Sequence, residues 1–171
     1  MEFSTSYDTL AKLLTAGILI FFICFAYFNI RALRRANDSV SRWVRVLILI
    51  ILVITIGYSF LYHPKDYKVT RTELIIKRQC ADVHVRMRDI LDCRALTDAD
   101  MDGTIRTFGV GGLFGYFGHY HNPMIGDMTF YATRQKGLVL VHVASGEALI
   151  LSPDQPEKFA KEIMDDITPN N

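Results

Sequence analysis

The sequence predicts two apolar membrane-spanning helices, then a small β-rich domain that ends in one α-helix. Three observations lead there. Leu13 to Ile30 and Val46 to Tyr62 contain no charged residue. At 1.5 Å of rise per residue each spans roughly 26 Å, close to the ~30 Å hydrocarbon core of a bilayer. Beyond Tyr62 the hydrophobic pattern changes from continuous to alternating, and near the C-terminal end it changes again to helical spacing.

Composition narrows the function classes. Half of the 171 residues are hydrophobic and mean hydropathy is +0.19, which is high for a water-soluble chain. Nineteen Lys and Arg against eighteen Asp and Glu leave no basic excess to attract nucleic acid. Three cysteines cannot build the disulfide framework of a small secreted scaffold.

Residues 1–12 read as an N-terminal tail. They hold Glu2 and Asp8 against Lys12, so no basic leader precedes the first apolar run, and Asn29-Ile30-Arg31 follows it instead of a small-residue cleavage pattern. The first span, residues 13–30, is therefore expected to stay. Thr15, Cys24, Thr55 and Ser59 are scattered polar interruptions that form no polar face, which argues against core helices of a soluble fold. Trp43, Tyr58 and Tyr62 gather near the ends of the second span, residues 46–62, as at membrane interfaces.

The loop of residues 31–45 carries Arg31, Arg34, Arg35, Arg42 and Arg45 against Asp38. The positive-inside rule places that loop in the cytoplasm and the C-terminal domain on the opposite, non-cytoplasmic side. Lys65, Lys68, Arg71, Lys77 and Arg78 closely follow the second span and count the other way. A cytoplasmic domain held under the membrane is the alternative.

From His63 onward, thirteen basic residues face fifteen acidic ones. Leu74 and Ile76, then Val83, Val85 and Met87, alternate with polar neighbours across Cys80 to Asp82, the pattern of a hairpin. A turn at Ala81-Asp82 would set Cys93 opposite Thr70, so no bridge from Cys80 to Cys93 is expected, and all three cysteines read as free. Met128, Phe130 and Ala132 alternate again. Leu138 to Val143 is a run suited to burial on both faces, and Glu147 to Leu151 follows the Ser145-Gly146 turn. Six or seven strands result, as in a small antiparallel barrel or sandwich. Asp154 is placed to cap a last helix, whose Phe159, Ala160, Ile163, Met164 and Ile167 share one face.

Arg106-Thr107-Phe108-Gly109-Val110-Gly111-Gly112-Leu113-Phe114-Gly115-Tyr116-Phe117-Gly118, with Phe130 to Arg134 and Ile150 to Pro153, resembles the bacterial pleckstrin-homology (PH) domain family. The likeness covers residues 67–167. It implies a PH-like domain, a strongly bent antiparallel sheet of about seven strands closed by a C-terminal helix. It also implies a membrane-anchored PH domain-containing protein of the bacterial inner membrane, and no enzyme activity.

Several residue groups are candidates for function. Lys77, Arg78, Arg86 and Arg88 bracket the first hairpin, where PH domains that bind phosphoinositides place basic residues; on this reading they would grip anionic lipid headgroups, with Arg86 and Arg88 on one strand face. Phe114, Tyr116, Phe117 and Tyr120 lie among recurrent glycines. They either pack over a sharply bent hairpin or form an exposed surface for a partner. The run lacks the spacing of a dinucleotide fingerprint and the Lys-Ser or Lys-Thr of a P-loop. Asp98, Asp100 and Asp102, followed by Gly103, match the opening of a calcium loop, but Gly109 stands where the bidentate Glu belongs. A solvated acidic turn is the competing reading. His119 and His121 would share a strand face but cannot fill a zinc shell alone. No cofactor motif and no nucleophile–base set is present.

The expected function is therefore that of a non-enzymatic, membrane-anchored module that docks a protein partner or a second copy of itself. Binding of anionic lipid through the basic hairpin is the alternative.

Overall fold

In the computed structural model the described residues are 1–35 and 38–168. Two long helices, α1 (Thr9–Leu33) and α2 (Ser39–Tyr62), form a hairpin. Each begins one residue after an aspartate that caps it: the Asp8 carboxylate accepts the N–H of Ala11 at 2.6 Å and Asp38 that of Ser41 at 2.8 Å. Both helices outrun their uncharged stretches because Lys12 and Arg45 have flexible stems and good helix propensity. Their most apolar windows have mean hydropathy 2.3 and 2.5, with 0% and 6% of the residues buried against protein. The two helices are thus long and apolar enough to cross a membrane, and they are not the core of a soluble fold. Asn29 and Thr55 return their polar atoms to the carbonyls of Phe25 and Ile51 one turn back.

The N-terminal tail is not a free tail. Glu2–Ser4 is a strand, β1, antiparallel to β2 (Pro64–Val69), with Phe3 opposite Tyr67. The Phe3 ring is buried edge-on against Phe159 at 5.0 Å. Three residues are too few to show a period-2 pattern, so only the partner strand reveals the element. A four-stranded sheet results in the order β1-β2-β3-β4, with β3 (Glu73–Arg78) and β4 (Val83–Arg86).

The β3–β4 register differs from the expected one. Ile76 faces Val83 and Glu73 faces Arg86, because the Asp82 carboxylate accepts the Arg78 N–H at 2.9 Å and holds a wider loop than a two-residue turn. A 3-10 turn over Met87–Asp89 then diverts the chain out of this sheet, so the run after Val83 is divided between two sheets.

The second sheet has six strands in the order β5-β9-β10-β8-β7-β6. These are β5 (Ile90–Ala95), β6 (Ile105–Gly111), β7 (Tyr116–Asn122), β8 (Gly126–Ala132), β9 (Val139–Val143) and β10 (Ala148–Leu151). The β9–β10 hairpin inserts between β5 and β8, which makes β10 parallel to β8, with Ile150 beside Phe130. Among the described residues ten strands stand where six or seven were expected; β1 and the break at Met87 account for two of the additional ones. Cys93 sits opposite Val141 on β5, not opposite Thr70. All three cysteines are free, Cys93 buried and Cys80 exposed.

Over its β5-β9-β10-β8 part the six-stranded sheet buries side chains on both faces, whereas β6 is largely exposed. One face packs on the four-stranded sheet through Tyr67, Leu74, Ile76, Val141, Leu149 and Leu151. The other holds Tyr120, Phe130, Leu140 and Ile150 beneath Ala11 from the first turn of α1. Helix α3 (Pro156–Ile167) closes one end against β5. Its apolar stripe buries Phe159 and Ile163 fully, each contributing about 1.5–3 kcal/mol.

Asp154 does not cap α3. Gln155 holds that position without a side-chain bond. The Asp154 carboxylate instead accepts bonds from Ser4 Oγ (2.8 Å), Ser6 N (2.9 Å) and Arg134 Nη1 (2.9 Å). Its stronger use is to clasp the N-terminal segment.

Candidate functional site

The glycine-rich segment forms the β6–β7 hairpin, with Gly109 opposite Gly118. Both have φ near +120°. A Cβ on Gly109 would run into the Phe117 carbonyl, and one on Gly118 into the Phe108 carbonyl. Only glycine permits that backbone approach.

Tyr116, Phe117 and Tyr120 are buried, which overturns the exposed aromatic surface for these three. Strand alternation puts Tyr116 and Tyr120 on the face that packs with Phe130 and Leu140, and Phe117 on the opposite face. The Tyr120 ring meets Phe130 at 4.1 Å, tilted by 32°, and its hydroxyl donates to the Val110 carbonyl at 3.1 Å. Burial raises its phenol pKa to about 12. The Tyr116 hydroxyl is buried without a partner among the described residues.

Phe114 alone leaves the domain, at the hairpin tip, with φ +59°. Its ring meets Phe60 at 5.6 Å and His63 at 6.0 Å, at the end of α2. Beside it Thr15 of α1 donates from Oγ1 to the Gly112 carbonyl at 2.7 Å and accepts the Phe114 N–H at 3.1 Å. The tip therefore wedges between the start of α1 and the end of α2. His63 is buried there, with Nδ1 2.6 Å from the Phe60 carbonyl. Burial holds its imidazole below the ordinary value, against that carbonyl and with Lys65 as a lesser cause, which favours the neutral ring with Nδ1–H donating.

A second tie runs through the N-terminal segment. Thr5 Oγ1 donates to the Ser152 carbonyl at 2.7 Å and lies 2.6 Å from Thr133 Oγ1, while the Thr133 N–H donates to Ser152 Oγ at 2.8 Å. The buried Tyr67 hydroxyl donates to the Tyr131 carbonyl and accepts the Ser152 N–H at 3.1 Å. Neither tie was legible in the sequence, because the partners lie far apart along the chain. The Ser and Thr cluster near the N-terminus is the one local hint.

The basic hairpin residues do not converge on an open anion cradle. Lys77 Nζ pairs with Glu2 at 3.1 Å. Arg78 donates to the Ala81 carbonyl and lies over the rings of Tyr62 (5.2 Å) and Tyr131 (5.8 Å). Arg86 Nε pairs with Asp89 at 2.7 Å, and Arg88 stands 3.8 Å from the same carboxylate. Arg86 ends β4 whereas Arg88 lies in the 3-10 turn, so they do not share a strand face. Beside them a groove of about 480 Å³ opens between β4 and the other sheet, lined by Val83, Val85, Tyr131 and Leu149 with Arg86 and Glu147.

The calcium reading fails on geometry. Asp98 pairs with Lys136 at 3.4 Å, and Asp100 accepts from Thr97 N (2.8 Å) and Oγ1 (2.7 Å) and faces Arg94 at 3.4 Å. The Thr97 bonds, with Arg94, hold the Asp100 carboxyl below its usual range. The carbonyls of Asp100 and Asp102 are taken by Asn122 Nδ2. Among the described residues no three Asp, Glu, His or Cys side chains form a metal-binding group. Fully buried Asn122, which also accepts from the N–H groups of Met124 and Ile125, organises this loop. His121 pairs with Asp127 at 2.7 Å, and His119 Nδ1 lies 3.4 Å from Thr129 Oγ1.

Of the terminal strands of the two sheets, β6 presents the exposed edge that carries large apolar side chains. β6 pairs with β7 on one side and with nothing on the other among the described residues. Ile105 and Phe108 on it are 60% and 70% exposed.

No curated protein and no solved structure matches the chain. The family model described as Bacterial PH domain matches residues 65–167, more than half the chain, and covers both sheets from β2 onward together with α3. Two apolar helices followed by this module agree with that match: the chain belongs to the bacterial PH domain family.

Proposed function

We propose that this chain is a non-enzymatic, membrane-anchored PH module that docks a protein partner, or a second copy of itself, by strand addition to β6. The single observation behind it is the unpaired outer edge of β6, where Ile105 and Phe108 are exposed. A strand edge supplies a ladder of backbone donors and acceptors, and its exposed side chains supply selectivity. The double tie of the domain to α1 and α2 would hold this edge at a fixed attitude to the bilayer. In this reading the arginine-rich loop lies in the cytoplasm and the module on the opposite face of the bacterial inner membrane.

The alternative, anionic headgroups on Lys77, Arg78, Arg86 and Arg88, is weakened by the partners that the first three already have. A photo-crosslinker at Thr107, in membranes carrying the full chain, tests the proposal. A discrete adduct that disappears in an Ile105→Lys, Phe108→Glu variant of unchanged thermal stability is expected. A chain that stays monomeric and unlinked under all conditions overturns it.

A further inference from the structure

At the far end of the helical hairpin, away from the PH module, lies a cavity of about 580 Å³ between α1 and α2. Phe28, Arg31 and Arg35 line it from the first helix and the turn after it, and Asp38, Ser41 and Arg45 from the second side. The depth of this pocket follows from the sequence. Arg31 is the first residue after the uncharged stretch of α1, and Arg45 is the last before that of α2. With the helices spanning a bilayer, both guanidinium groups stand where hydrocarbon gives way to lipid phosphates.

The charges are not spent inside the protein. Asp38 is the one carboxylate lining the pocket, and its Oδ2 accepts the Ser41 N–H at 2.8 Å as the cap of α2. No ion pair engages Arg31, Arg35 or Arg45 among the described residues. The Nε of Arg45 is buried and has no hydrogen-bond partner, a costly state for a charged donor.

An apolar furrow of about 310 Å³ begins at the next residue, Val46, and runs down α2 past Leu49 and Val53. Arg45 and Leu49 lie one turn apart on the same side of the helix. A cationic pocket at phosphate depth thus adjoins, along α2, a shallow apolar groove at hydrocarbon depth. That pairing matches one class of molecule.

We propose that the pocket of Arg31, Arg35 and Arg45 binds the headgroup phosphate of an anionic phospholipid, in the leaflet opposite the PH module, with an acyl chain along the Val46–Val53 furrow. Guanidinium forks suit phosphate oxygens bidentately, and three of them against one engaged carboxylate favour a lipid with net negative charge over a zwitterionic one. The inference rests on the membrane-spanning part of the proposed function and is independent of the β6 edge.

The test uses the full chain in nanodiscs of phosphatidylcholine with phosphatidylglycerol as the minor lipid. Lipids that stay bound on release from the disc are identified by native mass spectrometry. The two leaflets of a nanodisc have the same composition, so a variant whose insertion is reversed still meets the same lipids. Retention of phosphatidylglycerol above its share of the disc is expected for the natural sequence. Affinity for phosphatidylglycerol should fall about a hundredfold, so that retention drops to the share of the disc, in Arg31→Gln, Arg35→Gln, Arg45→Gln, as removal of three near-surface charges requires. Lys77→Gln, Arg86→Gln, Arg88→Gln in the module should leave it unchanged.

The proposal is overturned by retention that mirrors the disc composition in the natural sequence, by retention that survives the first triple variant, or by displacement of the lipid by millimolar inorganic phosphate. Should the triple variant not insert, a phosphatidylglycerol titration of the natural sequence decides by itself. Failure of the chain to enter nanodiscs at all would count against the membrane reading, whereas insertion without lipid preference counts against the lipid site alone.

Discussion

The hydroxyl of Thr15 and the backbone N–H of Phe114 are hydrogen-bonded at 3.1 Å although they lie 99 positions apart. The same hydroxyl donates to the Gly112 carbonyl at 2.7 Å. One side chain of α1 thus satisfies a donor and an acceptor of the β6–β7 turn, and the Phe114 ring completes the contact on Phe60 and His63.

Thr15→Val keeps the shape of the side chain and removes both bonds. Two partly buried backbone groups then lose their partner, at a cost of about 1–3 kcal/mol. Hydrogen exchange in detergent or nanodiscs should rise at Gly112 to Phe117 and stay unchanged in α3. Equal protection of the turn in variant and natural chain would refute the docking role of Thr15.

Gly109→Ala and Gly118→Ala should each destabilise the module severely. Strain from the positive φ adds about 1–3 kcal/mol, and the new Cβ meets backbone oxygen across the hairpin. Gly126→Ala is the control, because its φ is also positive but the space beside it is open. Thermal unfolding should rank Gly126→Ala well above the other two.

Asp154 gives a pH signature. Burial raises its carboxyl, but the bonds from Ser4 and Ser6 and the charge of Arg134 outweigh this, and its folded pKa is lowered. A depressed folded pKa means that the unfolded chain binds more protons as the medium is acidified. The contribution is therefore complete above the unfolded value of about 3.9 and is lost as pH falls through the lower folded value. Asp154→Asn should be less stable than the natural chain at neutral pH, and the gap should close in that acid window. A gap that stays constant down to full protonation would contradict the clasp.

The cysteines offer a chemical test of compartment. Cys93 is buried and its thiol is pushed up to about 12 by burial, with Asp92 a lesser cause, so it should resist maleimide until the module unfolds. Cys80 is exposed and should react at once. A membrane-impermeant maleimide added to intact spheroplasts should label Cys80 if the module lies on the non-cytoplasmic side. Labelling only after lysis would place it in the cytoplasm and reverse the proposed orientation.

Much of this fold was legible because its signals are local. An uncharged run such as Leu13 to Ile30 is legible as a helix long and apolar enough to cross a membrane without reference to any other segment. The stripe of Phe159, Ala160 and Ile163 likewise states its need for a sheet to cover it. The glycines announced a bent hairpin, and the acid at position 8 announced nothing until Ala11 lay above it.

What only the tertiary structure decided are choices among partners. β1 exists because β2 offers Tyr67 opposite Phe3, and Asp154 abandons α3 because Ser4, Ser6 and Arg134 together bind a carboxylate better than the helix end does. Tyr116, Phe117 and Tyr120 are equally aromatic in sequence whether they face solvent or core; only the packed layers put them inside. Hydrophobic period is a property of neighbours along the chain, whereas hydrogen-bond and ion-pair choice depends on which distant groups the packed layers bring within about 3 Å.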